Sequence, residues 1–345
     1  MRKTFAAALA GALLSVALPM VATPRSAAPD DPYFDLQWGL KKIGAPKAWK
    51  VTRGKGVVIA VVDGGVDLEH PDLASKLIVN AAADIVEPDG EDGPDDPRGH
   101  GTHVAGIAAA KADNGIGIAG VAPRAKILPV RVMGSDGTGE TDDAATGVRY
   151  AADHGADVIN LSLGVNGAQG EVFALTGDMA PLEEAIAYAF ERGVVIVAAA
   201  GNETFPMCGN PANQAHVICV GATGPDDMIA SYSNFDATQA SRYVVAPGGE
   251  PAGLTCESFI LSTWPTSLTP TACGPPEQVG YDVNTGTSMA APFVAGVAAL
   301  LVSEGFGNRK IAKCLTRTAK DLGEEGRDPV YGYGRVRANA AVRNC

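Results

Sequence analysis

The sequence is short of positive charge, of long apolar runs and of metal-type cysteine spacing. With 27 Lys plus Arg against 39 Asp plus Glu, it carries a formal net charge of −12. On balance there is no electrostatic footprint for a nucleic-acid backbone or an anionic membrane surface. Beyond the amino-terminal segment no stretch approaches roughly 18 uninterrupted apolar residues, which excludes a membrane-spanning helix and stable membrane association. Neither CxxC nor HExxH occurs, so the common structural and catalytic zinc readings fall away. Internal repeats and Pro- or Ser-rich linkers are missing as well, and a single domain is preferred to two.

What is present belongs to an exported globular chain. Apolar residues make up 46% and charged residues 19%, enough to bury a sizeable core. Arg2 and Lys3 precede an apolar run over 5–18, and small residues follow from Ala22 to Ala28. That is the pattern of a signal peptide over 1–28, cleaved between 22 and 28, ahead of a mature domain over 29–345. The expected location is secreted or periplasmic and the expected state a monomer. Six cysteines, Cys208, Cys219, Cys256, Cys273, Cys314 and Cys345, fall in the exported part, where an oxidising compartment favours pairing. Pairing neighbours closes the shortest loops, 208 with 219, 256 with 273 and 314 with 345, although six cysteines admit other connectivities.

After residue 56, short apolar runs alternate with amphipathic segments. This predicts an α/β fold, a mostly parallel central sheet with helices on both faces. Strands are expected over 57–62, 126–132, 157–163, 194–199, 216–222 and 243–246. Helices are expected over 103–110, 142–154, 182–192, 288–303 and 309–318. Residues 84–96, with seven acids and no base, and residues 250–281, rich in Pro, Thr and Gly, read as surface loops.

Three segments carry chemistry. Asp63 ends the first apolar strand and runs into Gly64-Gly65, so its carboxylate emerges at the carboxyl edge of a parallel sheet, where such folds place their sites. Gly99-His100-Gly101-Thr102-His103-Val104-Ala105-Gly106 puts an imidazole at a helix start. Gly286-Thr287-Ser288-Met289-Ala290-Ala291-Pro292 puts a hydroxyl at another, with Pro292 expected in the first turn. Singly these read as a turn residue, a structural histidine and a helix cap. Together they are the minimal set for nucleophilic catalysis, because a hydroxyl needs a base and an imidazole needs an acceptor that fixes its tautomer.

The strand into Asp63-Gly64-Gly65-Val66-Asp67 with His70-Pro71-Asp72-Leu73, then the His100 segment, then the Ser288 segment, resemble the subtilisin-like serine endopeptidase family, or subtilases. Their order, Asp, His, Ser, is the order known for subtilisin itself. Asp31-Pro32-Tyr33-Phe34 and Gln37-Trp38-Gly39-Leu40 resemble the thermitase branch, and the likeness runs from about residue 32 to 342. Gly64 stands where the family usually carries a small hydroxyl residue.

The resemblance implies a secreted endopeptidase acting on protein or peptide substrates through Asp63, His100 and Ser288. It assigns the oxyanion to Asn202 and the Ser288 amide. Residues Gly137-Thr138-Gly139 and Ser162-Leu163-Gly164 would be two strand edges that sandwich the substrate. Ala199, Ala200 and Gly209 would line the pocket for the residue before the cut, favouring a large apolar side chain within a broad specificity, with Glu203 able to meet a basic one at the rim.

A structural Ca²⁺ is also implied, held by Asp31, Asp72, the Asn114 side chain and the carbonyls of Ala112, Ile116 and Ile118. A further ion through Asp89, Asp92 or Asp95 is set against the simpler reading of a solvated acidic loop. His103 reads as packed core rather than a zinc ligand, and Asp67 as a turn acceptor. Two rivals remain. One is a catalytically silent peptide-binding relative, whose usual mark is a lost triad member. The other is an α/β-hydrolase esterase, which needs G-x-S-x-G with the serine first, whereas here Ala290 replaces the last glycine.

Overall fold

The computed structural model describes residues 29–87, 93–165, 174–251, 255–275 and 279–345. The expected leader over 1–28 lies outside them, as do Asp89 and Asp92. Two short helices, α1 (Trp38–Ile43) and α2 (Ala45–Ala48), lead into β1 (Val58–Asp63) and β2 (Ala83–Asp84). Helix α3 (His100–Ala109), β3 (Lys126–Arg131), β4 (Thr138–Glu140) and α4 (Thr141–Asp153) follow. Then come β5 (Val158–Leu161), β6 (Gly164–Val165), β7 (Ala174–Thr176), α5 (Ala180–Glu191) and β8 (Val195–Ala199). The chain ends with β9 (Val217–Thr223), β10 (Arg242–Pro247), β11 (Ile260–Thr263), β12 (Tyr281–Asn284), α6 (Thr287–Ser303), α7 (Asn308–Arg317) and α8 (Ala338–Asn344).

Seven strands form one parallel sheet in the order β10-β9-β8-β5-β1-β3-β2. Its inner strands are mostly apolar and buried because both faces are covered. Along β1, Ile59 and Val61 join the core containing α3 and α6, while Ala60 and Val62 join the core containing α4 and α5. Alternation of Cβ direction in a strand thus divides one short run between two cores. Every residue of α3 is buried, and α6 packs on α3 and on β8 and β9. A helix apolar on all sides is what an interior position demands.

Two expectations are corrected. Residues 250–281 are not all surface loop, since β11 is buried throughout and pairs antiparallel with β12. It lies over α3, where Ser262 Oγ and Thr263 Oγ1 donate to the carbonyls of His103 and Thr102. Residues 84–96 are not all solvated either. Arg131, 1% exposed, pairs with Asp84, and Asp96 is buried. The three neighbour disulfides form as expected, Cys208–Cys219, Cys256–Cys273 and Cys314–Cys345. No helix among the described residues is long and apolar enough to cross a membrane.

Candidate active site

The carboxyl edge of the large sheet gathers the chemical segments. Asp63 is the last residue of β1 and fully buried. Val62 is in register with Leu161 of β5, and Leu161 with Ala198 of β8. Asp63 and Ala199, the last residues of β1 and β8, therefore flank Ser162, the residue just past β5, with neighbouring strands about 4.8 Å apart.

His100 opens α3, and its Nδ1 lies 2.7 Å from Asp63 Oδ1. An ionised carboxylate only accepts, so Nδ1–H is the donor and the neutral ring keeps Nε2 as its basic nitrogen. Asp63 Oδ1 also accepts from the Gly64 N–H at 2.7 Å, whereas Oδ2 is buried without a hydrogen bond among the described residues. Helix α3 can close this tightly because residue 101 has no side chain. A Cβ there would sit 2.0 Å from the Gly65 carbonyl oxygen, a clash only glycine avoids.

Asp96, which the sequence left in an acidic loop, fixes the start of α3. Its carboxylate accepts from the N–H groups of Arg98, Gly99 and Thr102 and from Thr102 Oγ1, at 2.7–3.0 Å. It thereby satisfies amides that a helix start leaves unpaired. Burial lifts Asp96 to about 6 against the opposing pull of these donors. An acid shortly before a helix start was the available signal; the surrounding acids hid it.

Ser288 is the second residue of α6, so its N–H is among the helix-start amides with no intrahelical acceptor. Its Oγ donates to the Ser162 carbonyl at 3.2 Å, and its own carbonyl accepts from Ser162 Oγ at 2.8 Å. Pro292 explains the second bond. It sits inside the helix rather than in the first turn as expected, and having no N–H it frees the carbonyl four residues back, that of Ser288. Ser162 takes up that carbonyl, and Asn160 Nδ2 in turn donates to Ser162 Oγ at 2.9 Å. The reciprocal pair ties Ser288 to the strand beside Asp63.

Asn202, exposed beyond β8, is held through its oxygen. Oδ1 accepts from Thr287 N–H at 2.9 Å and from Thr287 Oγ1 at 3.0 Å. The Nδ2 donor is turned to the other side of the amide. Nothing in the sequence singled out Thr287 for this task. His103, by contrast, is fully buried, with Nε2 3.0 Å from the Ile260 carbonyl. Burial pulls it down to about 3, so it stays a neutral packing residue. Asp67 is a turn acceptor for Glu69 N–H and also accepts from Thr266 N–H.

The two expected substrate edges come together with a difference. Thr138 and Gly139 lie in β4 and Gly164 in β6, with Gly137 in the turn before β4. The gap between β4 and β6 is filled by the chain itself, because β7 pairs parallel with both. Leu175 of β7 is fully buried beside Gly139. Leu163 is buried, and Ser162 is committed to Ser288 as described. Of the pocket residues, Gly209 N–H donates to the Ala200 carbonyl at 2.8 Å. The Ala200 side chain is wholly enclosed in the core with Cys208 and Ala212, so it offers backbone rather than pocket wall. Glu203 Oε2 accepts from Asn234 Nδ2 at 2.6 Å, which draws it into a fold contact.

Among the described residues no three His, Cys, Asp or Glu side chains form a metal-type cluster. The expected calcium set uses only two carboxylates, and these are close. Asp31 accepts from Asp113 and Asn114 N–H, and Asp72 from Asn114 Nδ2, Ile118 N–H and Tyr281 Oη. Both acids are buried, and these donors are all neutral. Burial, with the charge of Asp31 adding to it, lifts Asp72 to about 6. Two buried carboxylates that share one loop and meet only neutral donors there carry uncompensated charge that would suit a hard divalent cation.

Residues 54–334 match the model of the subtilase family. Thermitase of Thermoactinomyces vulgaris is 41% identical over 91% of this chain and 99% of its own. Subtilisin BL of Lederbergia lenta is 37% identical over 89% of this chain and 99% of its own. A protease of Pseudoalteromonas arctica superposes with a TM-score of 0.76 at 33% identity, covering 92% of this chain and 99% of that one. A lanthipeptide protease superposes with a TM-score of 0.77 at 28% identity, covering 92% and 98%. The chain belongs to the subtilase family of serine endopeptidases.

Proposed function

We propose that Ser288 attacks the peptide carbonyl while His100 Nε2 takes the hydroxyl proton and later delivers it to the leaving amine. Asp63 holds the imidazole in the required tautomer and stabilises its cation. Asn202 Nδ2 and the Ser288 N–H receive the oxyanion. The observation that carries this reading is the Asp63–His100 bond at the same sheet edge to which Ser162 and Thr287 anchor Ser288 and Asn202. None of the four residues is replaced in the sequence, which speaks against a silent relative. The signal-peptide pattern over 1–28 and the three disulfides support export.

Asn202→Ala is the direct test of the cradle. It should lower kcat by about 10²–10³-fold, the range such a deletion has in a subtilisin, with KM little changed. Activity equal to wild type would remove Asn202 from the mechanism.

An extended peptide gains main-chain hydrogen bonds by lying between residues 137–139 and 162–164, the place β7 occupies. Leu175→Asp puts a carboxylate where Leu175 is now buried, which should expel β7. Peptide-library cleavage should then show kcat/KM rising several-fold for extended substrates and little for short ones. An unchanged profile would mean that substrate does not use this gap.

Calcium, if bound, would be held by Asp31, Asp72, the carbonyls of Ala112, Ile116 and Ile118, and Asn114 once its amide turns Oδ1 inward. Its contribution would be charge neutralisation of the two acids. Adding the ion at a hundredfold excess over Kd should stabilise the fold by about 2.7 kcal/mol, read as a raised Tm that a chelator reverses. Asp72→Asn should abolish the calcium-dependent part, and a calcium response surviving in that variant would place the ion elsewhere.

A further inference from the structure

At the opposite end of the large sheet, where β1 and β3 begin, the structure holds a cleft of about 460 Å³. Four chain segments meet there: the residues before β1, the turn at 75–76, the segment after α3, and the residues before β3. The cleft is lined by Arg53, Lys55, Lys76, Lys111, Arg124 and Lys126 with a single acid, Asp113. That acid is engaged by Arg53. In a protein of net charge −12, so many cations in one concave place are a departure from its average surface.

The cations are built in rather than trailing. Lys76 is only 6% exposed, and its Nζ donates to the Pro123 carbonyl. Lys126 Nζ donates to the Ser75 carbonyl at 2.8 Å. These two bonds cross between the same two segments and fix two ammonium groups at the cleft. Burial, then repulsion from Lys126, Lys111 and Arg124, depresses Lys76 to about 7. Like charges held together and partly desolvated are costly alone and become favourable when an anion enters among them. A volume of this size suits a small ligand rather than a polymer.

We propose that this basic cleft binds a small oxyanion carrying two or more phosphoryl or sulfuryl groups, at a site separate from the Asp63, His100 and Ser288 cluster. Multivalence follows from the number of cations and their spread over four segments. A single-charge anion would leave most of them unmet.

Isothermal titration of the full chain with inorganic tripolyphosphate, with sucrose octasulfate and with chloride at matched ionic strength tests this. Saturable binding of either multivalent anion, weakening as salt rises, is the expected result, and the two arms tell phosphoryl from sulfuryl preference. Arg124→Glu combined with Lys126→Glu should weaken it by roughly tenfold or more. Lys310→Gln with Lys313→Gln, on α7, should leave it unchanged. Cleavage of a short peptide should be the same in both double variants, which keeps this site distinct from the catalytic reading. Because Arg124 and Lys126 are exposed, folding should survive, and Lys111→Gln gives an independent second variant with a smaller loss. No saturable heat with either anion, or equal loss in the α7 variant, would overturn the proposal.

Discussion

Replacing Ser288 with alanine should lower kcat on casein by roughly 10⁶-fold, the size this deletion has in subtilisins, while the melting temperature barely moves. The asymmetry follows from what the hydroxyl does. Structurally, Oγ makes one long bond, 3.2 Å to the Ser162 carbonyl, worth about 1 kcal/mol or less. The contact that seats residue 288, from Ser162 Oγ to its main-chain carbonyl, needs no side chain and persists in the variant. Chemically, Oγ is the atom proposed to form the acyl-enzyme, and its loss would leave the oxyanion donors with nothing to assist. A short acyl ester should lose turnover in parallel with casein. Proteolysis persisting in Ser288→Ala at a measurable fraction of wild type would put the nucleophile elsewhere.

Asp63→Asn should cost about 10⁴-fold in kcat, with KM nearly unchanged because residue 63 is buried beneath the ring and away from substrate. The carboxylate accepts from His100 Nδ1 and from the Gly64 N–H through the same oxygen. An amide can keep only one orientation satisfied. With its NH₂ toward the ring it selects the tautomer whose proton sits on Nε2, leaving no base for Ser288. With its carbonyl toward the ring it buries NH₂ at the position of Oδ2, which has no hydrogen-bond partner among the described residues, and an unsatisfied buried donor costs about 1–3 kcal/mol. Either outcome lowers the population of the competent ring. The readouts are steady-state kinetics and a thermal melt, and a loss below tenfold would mean that Asp63 does not set the tautomer of His100.

The sheet was legible because the central strands are mostly apolar runs, and expected ends fall within a residue or two of the observed ones. The three segments bearing Asp63, His100 and Ser288 were legible for a different reason. Glycines flank them, as close backbone approach at Gly101 requires. Neighbour pairing of the cysteines also held. What escaped depends on tertiary partners without a local pattern. Strand β11 is short and sits in a Pro- and Thr-rich stretch, and only its cover over α3 makes it buried. Pro292 lies beyond the first turn of α6, and the carbonyl it frees on Ser288 is met by Ser162, 126 positions from Ser288 in the chain. Asp96 was masked by the acids around it, and Thr287 had no signal beyond its neighbour Ser288.

The most direct measurement is stoichiometric labelling of the purified protein with a fluorophosphonate, followed by peptide mass spectrometry of wild type and His100→Ala. One phosphonyl adduct per chain on Ser288, lost when His100 is removed, is the predicted result. An adduct on another residue, or labelling of Ser288 that is indifferent to His100, would contradict a hydroxyl activated by the imidazole that Asp63 holds.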